Sequence, residues 1–446
     1  MSLGLTLPFF LFITFLSYTL VTPMFKFLYT TTIFCYTLFI YLAALMGNQK
    51  AKKWKNGRQG IFKKLREAFA DNSAPVLWVH CASLGEFEQG RPVIEALKSN
   101  NNNLKVLLTF FSPSGYEIRR YYAHADWVFY LPADSKKNAA QFISIVKPQQ
   151  VLFVKYEFWY YYLTTLQAQK IPTYLISAVF RSNQVFFKWY GGLFREMLFC
   201  FDAIFVQNKK SLNLVQQLHY SAVYLAGDTR LDRVLAIKKQ AQPFPIVETF
   251  CNHTYTIVAG STWSPDETIL VDVLKAFPKN KLVIAPHQID EKHLQEIEKL
   301  FAFTNSIRYS NVTHITSLTD ISVLLVDNIG MLSSIYAYAN VAYIGGGFGA
   351  GLHNILEAAV FEIPVLFGPN HHKFQEASDL IIEGVGFEVL QAQDAIKYLQ
   401  ALKTPKASSK VQESAHFYFQ KYSGASAMIV AHLKIKNDNS SRFPAL

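Results

Sequence analysis

Glu86 is the first residue in this sequence whose type and position could do chemistry. It closes Trp78-Val79-His80-Cys81-Ala82-Ser83-Leu84-Gly85-Glu86, where an apolar strand pattern runs into a small-residue turn and then a helical pattern over Pro92 to Lys98. A carboxylate there serves either as a partner for the helix macrodipole or as a general base that takes a proton from an attacking hydroxyl. Ser83 stands three residues before it. A second junction of this kind, Thr109-Phe110-Phe111-Ser112-Pro113-Ser114-Gly115, offers the hydroxyls of Ser112 and Ser114 and exposed turn amides, which suit a phosphate or a hydroxyl-rich ligand. Read without a ligand, it is a turn with an N-cap.

Downstream, Gly260-Ser261-Thr262-Trp263 follows a strand and opens a helix at Pro265-Asp266-Glu267, so free amides and the helix dipole favour a phosphate near Ser261 and Thr262. The most distinctive stretch runs from Ala342 through Gly345-Gly346-Gly347 and Gly349-Ala350-Gly351 to His353-Asn354-Ile355-Leu356-Glu357: strand, glycine loop, helix. Gly346 and Gly347 would let a ligand approach the backbone closely. Asn354 and Glu357, three apart on one helical face, would point together, and a carboxylate can accept both hydroxyls of a ribose. Arg230 has the planar fork that fits a carboxylate or a phosphate; Arg181 could do the same or be a solvated surface arginine. His287, in Ala285-Pro286-His287-Gln288, is charged only near its pKa of about 6.5, and Lys292 and His293 are nearby cations that could compensate. The adjacent His371 and His372 lack an acidic neighbour and make a poor ligand pair, so no metal is expected.

These stretches, in this order, resemble the Kdo (3-deoxy-D-manno-octulosonic acid) transferases, the lipid A Kdo transferase family of glycosyltransferases. Ser83-Leu84-Gly85-Glu86 is similar to the family's SxGE, Thr109 to Gly115 to its TxxTPTG, and Ala226-Gly227-Asp228-Thr229-Arg230-Leu231-Asp232 to its GNTRFD. Gly260-Ser261-Thr262 matches GST, the glycine run resembles GGSxxxxGGHNxxEPA with Ala358 and Ala359 closing it, and Phe367 to Phe374 resembles GPxxxNF. Phe153 to Trp159 is similar to ETELWP, with Lys155 and Tyr160 departing from it. Ile176 to Ser182 matches NARLSxRS in Ser177, Ala178, Arg181 and Ser182, and His287 stands where the family's PRHPER has an arginine.

The resemblance implies a GT-B fold, two Rossmann-like domains facing a cleft, and inverting transfer of Kdo from CMP-Kdo to the lipid A precursor lipid IVA, with no cofactor. It makes Glu86 the catalytic base. Ser261, Thr262, His287, Gly346, Gly347, Asn354 and Glu357 become contacts of the nucleotide sugar. Ser83, Ser112, Ser114, Glu157, Arg181 and Arg230 become contacts of the acceptor or the sugar carboxylate. The number of sugars added is left open.

The elements that must position these residues read as alternating strands and helices, hence parallel sheets. Strands are expected at Val76 to His80, Lys105 to Thr109, Trp127 to Leu131, Gln150 to Val154, Thr173 to Ile176, Ala203 to Val206 and Ala222 to Ala226. A second series is expected at Tyr255 to Ala259, Lys281 to Ala285, Val323 to Val326, Val341 to Ile344 and Pro364 to Phe367. The resulting domains are 49–237 and 253–436, the latter including a C-terminal helix, with an aperiodic linker at 238–252 and a disordered tail at 437–446.

Residues 1–48 read as a membrane anchor of one or two helices: apolar runs Leu3 to Val21 and Phe27 to Met46 are each long enough to span, with a break at Pro23 and Lys26. Lys50, Lys52, Lys53, Lys55, Arg58, Lys63, Lys64 and Arg66 follow at once. The positive-inside rule therefore places the rest of the chain in the cytoplasm, at the inner membrane. At 446 residues the chain exceeds one core, and its net charge of +11 draws it to anionic partners; these are read as anionic lipid and phosphorylated substrates, not nucleic acid. Four scattered cysteines suggest a reducing compartment and no zinc site. The aromatic and basic stretch Phe180, Phe186, Phe187, Lys188, Trp189, Tyr190, Phe194 and Arg195 is either a membrane-facing surface or a core helix with a solvated edge.

Overall fold

The computed structural model describes residues 6–313, 318–349 and 351–433, with residues 6–22 described by their backbone only. The expected tail at 437–446 lies outside the described residues. The chain forms two compact units: residues up to Thr229 together with those from Gly424 onward, and Arg230–Ser423.

The first unit holds a seven-stranded parallel sheet of β1 (Val76–Cys81), β2 (Lys105–Phe110), β3 (Trp127–Tyr130), β4 (Gln150–Val154), β5 (Thr173–Ala178), β6 (Ala203–Val206) and β7 (Val223–Leu225), in the order β3-β2-β1-β4-β5-β6-β7. The strands are apolar almost without interruption because helices cover both faces; every residue of β1, β4 and β6 is buried. The second unit repeats the plan with β8 (Thr256–Thr262), β9 (Lys281–Pro286), β10 (Ser306–Arg308), β11 (Val323–Leu325), β12 (Val341–Ile344), β13 (Val365–Phe367) and β14 (Gly386–Glu388), ordered β10-β11-β9-β8-β12-β13-β14. In the first sheet the crossover from one half to the other leaves β1 and β4 as neighbours; in the second, where β11 lies inside β10, it leaves β8 and β12. Loops leaving the strands diverge there and open a crevice at the carboxyl ends. Glu86 and Glu157 follow β1 and β4; Ser261 and the glycine loop stand at the ends of β8 and β12.

All twelve expected strands are present. The sequence reading missed β10 and β14, three-residue edge strands (Ser-Ile-Arg and Gly-Phe-Glu) too short and too mixed to show a period. The stretch read as a linker carries the helix Pro245–Cys251, with proline in its first turn and Val247 and Phe250 fully buried in the second core. The helix Ala425–His432, assigned from sequence to the second domain, packs in the first: Ile429 and Leu433 are buried among Leu77, Val79 and Phe205, and Gln150 donates to the Leu433 carbonyl.

The N-terminal helix is continuous over Thr6–Leu45, with no break at Pro23 or Lys26. Proline removes one backbone donor, but beyond it the helix is held from outside: Tyr29 donates to Asp134 Oδ2 at 2.7 Å, and Phe25 packs on the first core. Its Pro23–Leu45 portion, with a mean hydropathy of 1.6, is long and apolar enough to cross a membrane. In the basic cluster Arg58 is a correction. Its guanidinium donates to the carbonyls of Leu131 and Phe111, both at 2.8 Å, and stacks on Trp54, while Lys50, Lys52, Lys53, Lys63, Lys64 and Arg66 remain exposed.

Asp134 is the polar anchor for this helix. It also accepts from the Tyr161 and Tyr162 amides, yet burial pushes its carboxyl up to about 6. A folded value above the ordinary one means that the proton stabilises the folded state, a contribution present at low pH and lost as pH rises through about 6. Thermal unfolding in detergent between pH 4.5 and 7.5 is expected to show a decline in wild-type stability of about 2 kcal/mol that Asp134→Asn lacks.

Candidate active site

At the end of β1, Ser83 is the N-cap of the helix Leu84–Asn100, and its hydroxyl donates to the Glu86 carboxylate in the first turn. Glu86 is only partly buried. Its charge reaches Tyr156, beyond β4: burial raises that phenol's pKa, the Arg181 guanidinium opposes the rise, and Glu86 adds to it. Glu86, Tyr156 and Arg181 therefore share one electrostatic neighbourhood at the ends of β1, β4 and β5. Arg181 is exposed. Burial pushes the Cys81 thiol far up, and Glu86 and Glu157 add to the push, which leaves it a neutral core group.

Glu157 does not present a free carboxylate. It is buried, with His80 Nε2 at 2.9 Å and the Trp159 indole donating at 2.7 Å, and His80 Nδ1 lies 2.9 Å from the Thr109 hydroxyl. This chain of polar groups ties β1, β2 and the β4 loop together, so its geometry is that of a brace and not of an acceptor contact. Ser112 is likewise occupied as the N-cap of the helix Pro113–Arg119, accepting from the Ser114 amide, with the two hydroxyls 3.1 Å apart. Of the stretch around Phe186, Phe180 and Phe186 are core residues, Arg195 donates to the carbonyls of Phe186 and Lys188, and only the Trp189-Tyr190 edge is exposed.

Sequence reasoning missed the backbone signal. Lys155 (φ 71°), Ser177 (φ 55°) and Ser261 (φ 53°) are left-handed residues at the ends of β4, β5 and β8. The register shifts around Ser177 and Ser261. Such strain and bulges gather at functional sites, where they redirect side chains. No residue type here announces them, since neither glycine nor asparagine occupies these positions.

In the second unit the organising group is Asp266, named from sequence only as part of a helix start. Its buried carboxylate accepts from the amides of Trp263 and Gly346, both at 2.9 Å, and from the Tyr343 hydroxyl at 3.1 Å. Thr262 is fully buried with its hydroxyl bonded to Glu267, which also meets His293 Nε2 at 3.0 Å. The Thr262 side chain and His293 are thus internal, and Lys292 is exposed beside Glu296; neither cation compensates for the missing arginine at His287. Instead His287 lies in a stack, 4.7 Å from Trp263 and 4.5 Å from His353. Burial, and then the neighbouring His287, push the His353 pKa down.

The glycines also have a reason internal to the fold. A side chain at Gly346 (φ 91°) would lie 2.3 Å from the Gly351 carbonyl oxygen, and one at Gly347 would lie 2.5 Å from the Gly368 amide. What approaches closely is the chain's own backbone. Asn354 sits in the turn before the short helix Leu356–Ala359, and its amide donates to Glu357 at 2.9 Å, so the pair does converge. Arg230 forms a two-pronged pair with Glu376 at 2.7 and 3.2 Å. His371 is buried against Glu388 while His372 is exposed, so they do not act as a pair.

A family model described as 3-deoxy-D-manno-octulosonic-acid transferase (kdotransferase) matches residues 54–233, the stretch that carries Ser83, Glu86, Glu157 and Arg181. The 3-deoxy-D-manno-octulosonic acid transferase of Aquifex aeolicus is 28% identical over 353 residues, covering 77% of this chain and 90% of that protein. That of Bordetella pertussis is 26% identical, covering 79% and 85%. The chain is similar to Kdo transferases both in this family match and in these relatives. The solved UDP-GlcNAc 2-epimerase of Neisseria meningitidis superposes with a TM-score of 0.55 at 17% identity, covering 80% of this chain and 99% of that one, a likeness of fold alone. Together with the two parallel sheets, it gives this chain a fold like that of the GT-B enzymes.

Two substitutions separate bracing from binding. Gly347→Ala is expected to lower the melting temperature, because its side chain would lie 2.5 Å from the Gly368 amide, with most of the chain still folded by circular dichroism. Glu157→Gln is expected to lower stability by about 1–3 kcal/mol, because one of two buried donors loses its acceptor. If that variant keeps its melting temperature and loses only acceptor affinity, the brace assignment is wrong.

Proposed function

We propose that the chain transfers Kdo from CMP-Kdo to a hydroxyl of lipid IVA, with inversion, at the cytoplasmic face of the inner membrane. The observation that carries the reading is Glu86, a partly exposed carboxylate at the switch point of the first sheet, oriented by Ser83 and lying within the family match. In the proposed step Glu86 accepts the proton of the acceptor hydroxyl as that oxygen bonds to the anomeric carbon and the bond to the CMP phosphate breaks. Arg181, whose charge like that of Glu86 reaches Tyr156, suits the acceptor's phosphate. In the second unit Glu357, held by Asn354, would accept the ribose hydroxyls of CMP. Ser261 and the His287–His353 stack would face the departing phosphate, which gains negative charge as it leaves. The domain limits of the sequence reading are kept as a working division, with the helix Ala425–His432 moved to the first unit.

The fold is shared with UDP-sugar enzymes, so donor choice is the direct test. Membranes carrying the chain, given lipid IVA, are expected to add one or more Kdo masses in mass spectrometry when supplied with CMP-Kdo and nothing when supplied with UDP-GlcNAc. Sugar transfer from UDP-GlcNAc alone would overturn the reading. Glu357→Ala is expected to raise the KM for CMP-Kdo at least tenfold while leaving that for lipid IVA unchanged.

A further inference from the structure

A helix that crosses a bilayer has lipid or other membrane segments around its middle, and its length is what spans the roughly 30 Å hydrocarbon core. From Lys26 onward the N-terminal helix does not fit that description. Lys26 pairs with Glu196 at 3.3 Å, Tyr29 reaches Asp134, the Thr30 and Tyr161 hydroxyls lie 2.6 Å apart, and Tyr36 stacks on Phe111 with ring centres 6.0 Å apart. Further on, the Lys55 ammonium lies 5.3 Å over the Tyr41 ring, and Ala44 is buried. These contacts run along about 27 Å of helix axis, and their partners are residues of the first unit that include two carboxylates and one lysine. The opposite face is apolar and exposed: Phe27, Leu28, Phe34, Leu38, Phe39 and Leu42 are each at least 48% exposed.

We propose that residues 23–45 lie in the plane of the membrane interface, apolar face down in the acyl boundary, and clamp the first unit flat against an anionic bilayer. Lipid is the occupant that the surroundings favour. The helices Gln49–Arg58 and Ile61–Phe69, which follow directly, expose Lys50, Lys52, Lys53, Lys63 and Lys64, a charge excess that suits anionic headgroups. Trp189, 91% exposed, sits just before the helix Gly192–Leu198 whose Glu196 holds Lys26, and tryptophan prefers this boundary. A helix with one long apolar face and a polar face already partnered settles about 5–10 Å into such an interface. The inference rests on the membrane part of the reading above and not on the transfer reaction.

The chain supplies its own probe: Cys35 is exposed on the apolar face, and Cys81, Cys200 and Cys251 are buried. The full-length protein is placed in vesicles of equal parts phosphatidylcholine and phosphatidylglycerol. A nitroxide is attached to Cys35 or, in Cys35→Ser backgrounds, to Leu28→Cys or Leu42→Cys, all heptad-spaced on one face. Depth is then read from relaxation by oxygen against a water-soluble nickel chelate. The proposal expects three similar depths, agreeing within about 3 Å and shallow as such helices are. A spanning helix would separate Leu28 from Leu42 by up to about 21 Å in depth, and that result overturns it. Labels that stay in water while the protein floats with the vesicles also overturn it. A protein that does not float at all removes the membrane reading together with the proposal, and says nothing against Kdo transfer in detergent.

Discussion

The second unit depends on one buried carboxylate. Asp266 leaves the end of β8 on the first turn of a helix and accepts hydrogen bonds from the amide before that helix, from the second glycine of the loop after β12, and from a tyrosine on β12 itself. Burial pushes its carboxyl up and the three donors pull it back. Without it, the loops on the two sides of the switch point would have no common attachment, and buried amides would be left without acceptors, each costing about 1–3 kcal/mol. Glu157 does the equivalent work in the first unit, drawing His80 and Trp159 together where β1 and β4 part.

This arrangement separates groups that hold the site from groups free to act in it. Glu157, Thr262, Arg230 and His371 all look reactive by type, and all are occupied by partners in their own unit. Glu86 differs: Ser83 is its hydrogen-bond donor among the described residues, and the carboxylate keeps access to solvent within electrostatic reach of Tyr156. The strained backbone at Lys155, Ser177 and Ser261 lies at the same strand ends, which places the conformational cost where redirected side chains are useful.

Much of this was legible in the residues. Parallel strands buried on both faces are runs of Val, Leu, Ile and Phe, and every run of four or more was visible; β10 and β14 were not, because Ser-Ile-Arg and Gly-Phe-Glu each carry a single apolar residue. Glu86 was found from its place after a strand and from the family resemblance. Spacing could not show that Glu157 faces inward to His80, a residue 77 positions earlier, or that Arg230 meets Glu376, 146 positions later. The packing reason for the glycines was not legible, since only the folded loop reveals that Gly347 lies against Gly368. Pro23 misled in the opposite sense: a local breaker was overridden by contacts with Asp134 and Glu196 that lie more than a hundred residues away in sequence.

The central claim is that Glu86 is the group that takes the proton. Single-turnover transfer from CMP-Kdo to lipid IVA by wild type and Glu86→Gln, with donor affinity measured separately by calorimetry, tests it most directly. The account predicts a loss of at least 100-fold in rate, in keeping with removal of a general base, with donor affinity unchanged. A variant that transfers within a fewfold of wild type would contradict it and move the search for the base to Tyr156 or to a group on the substrate.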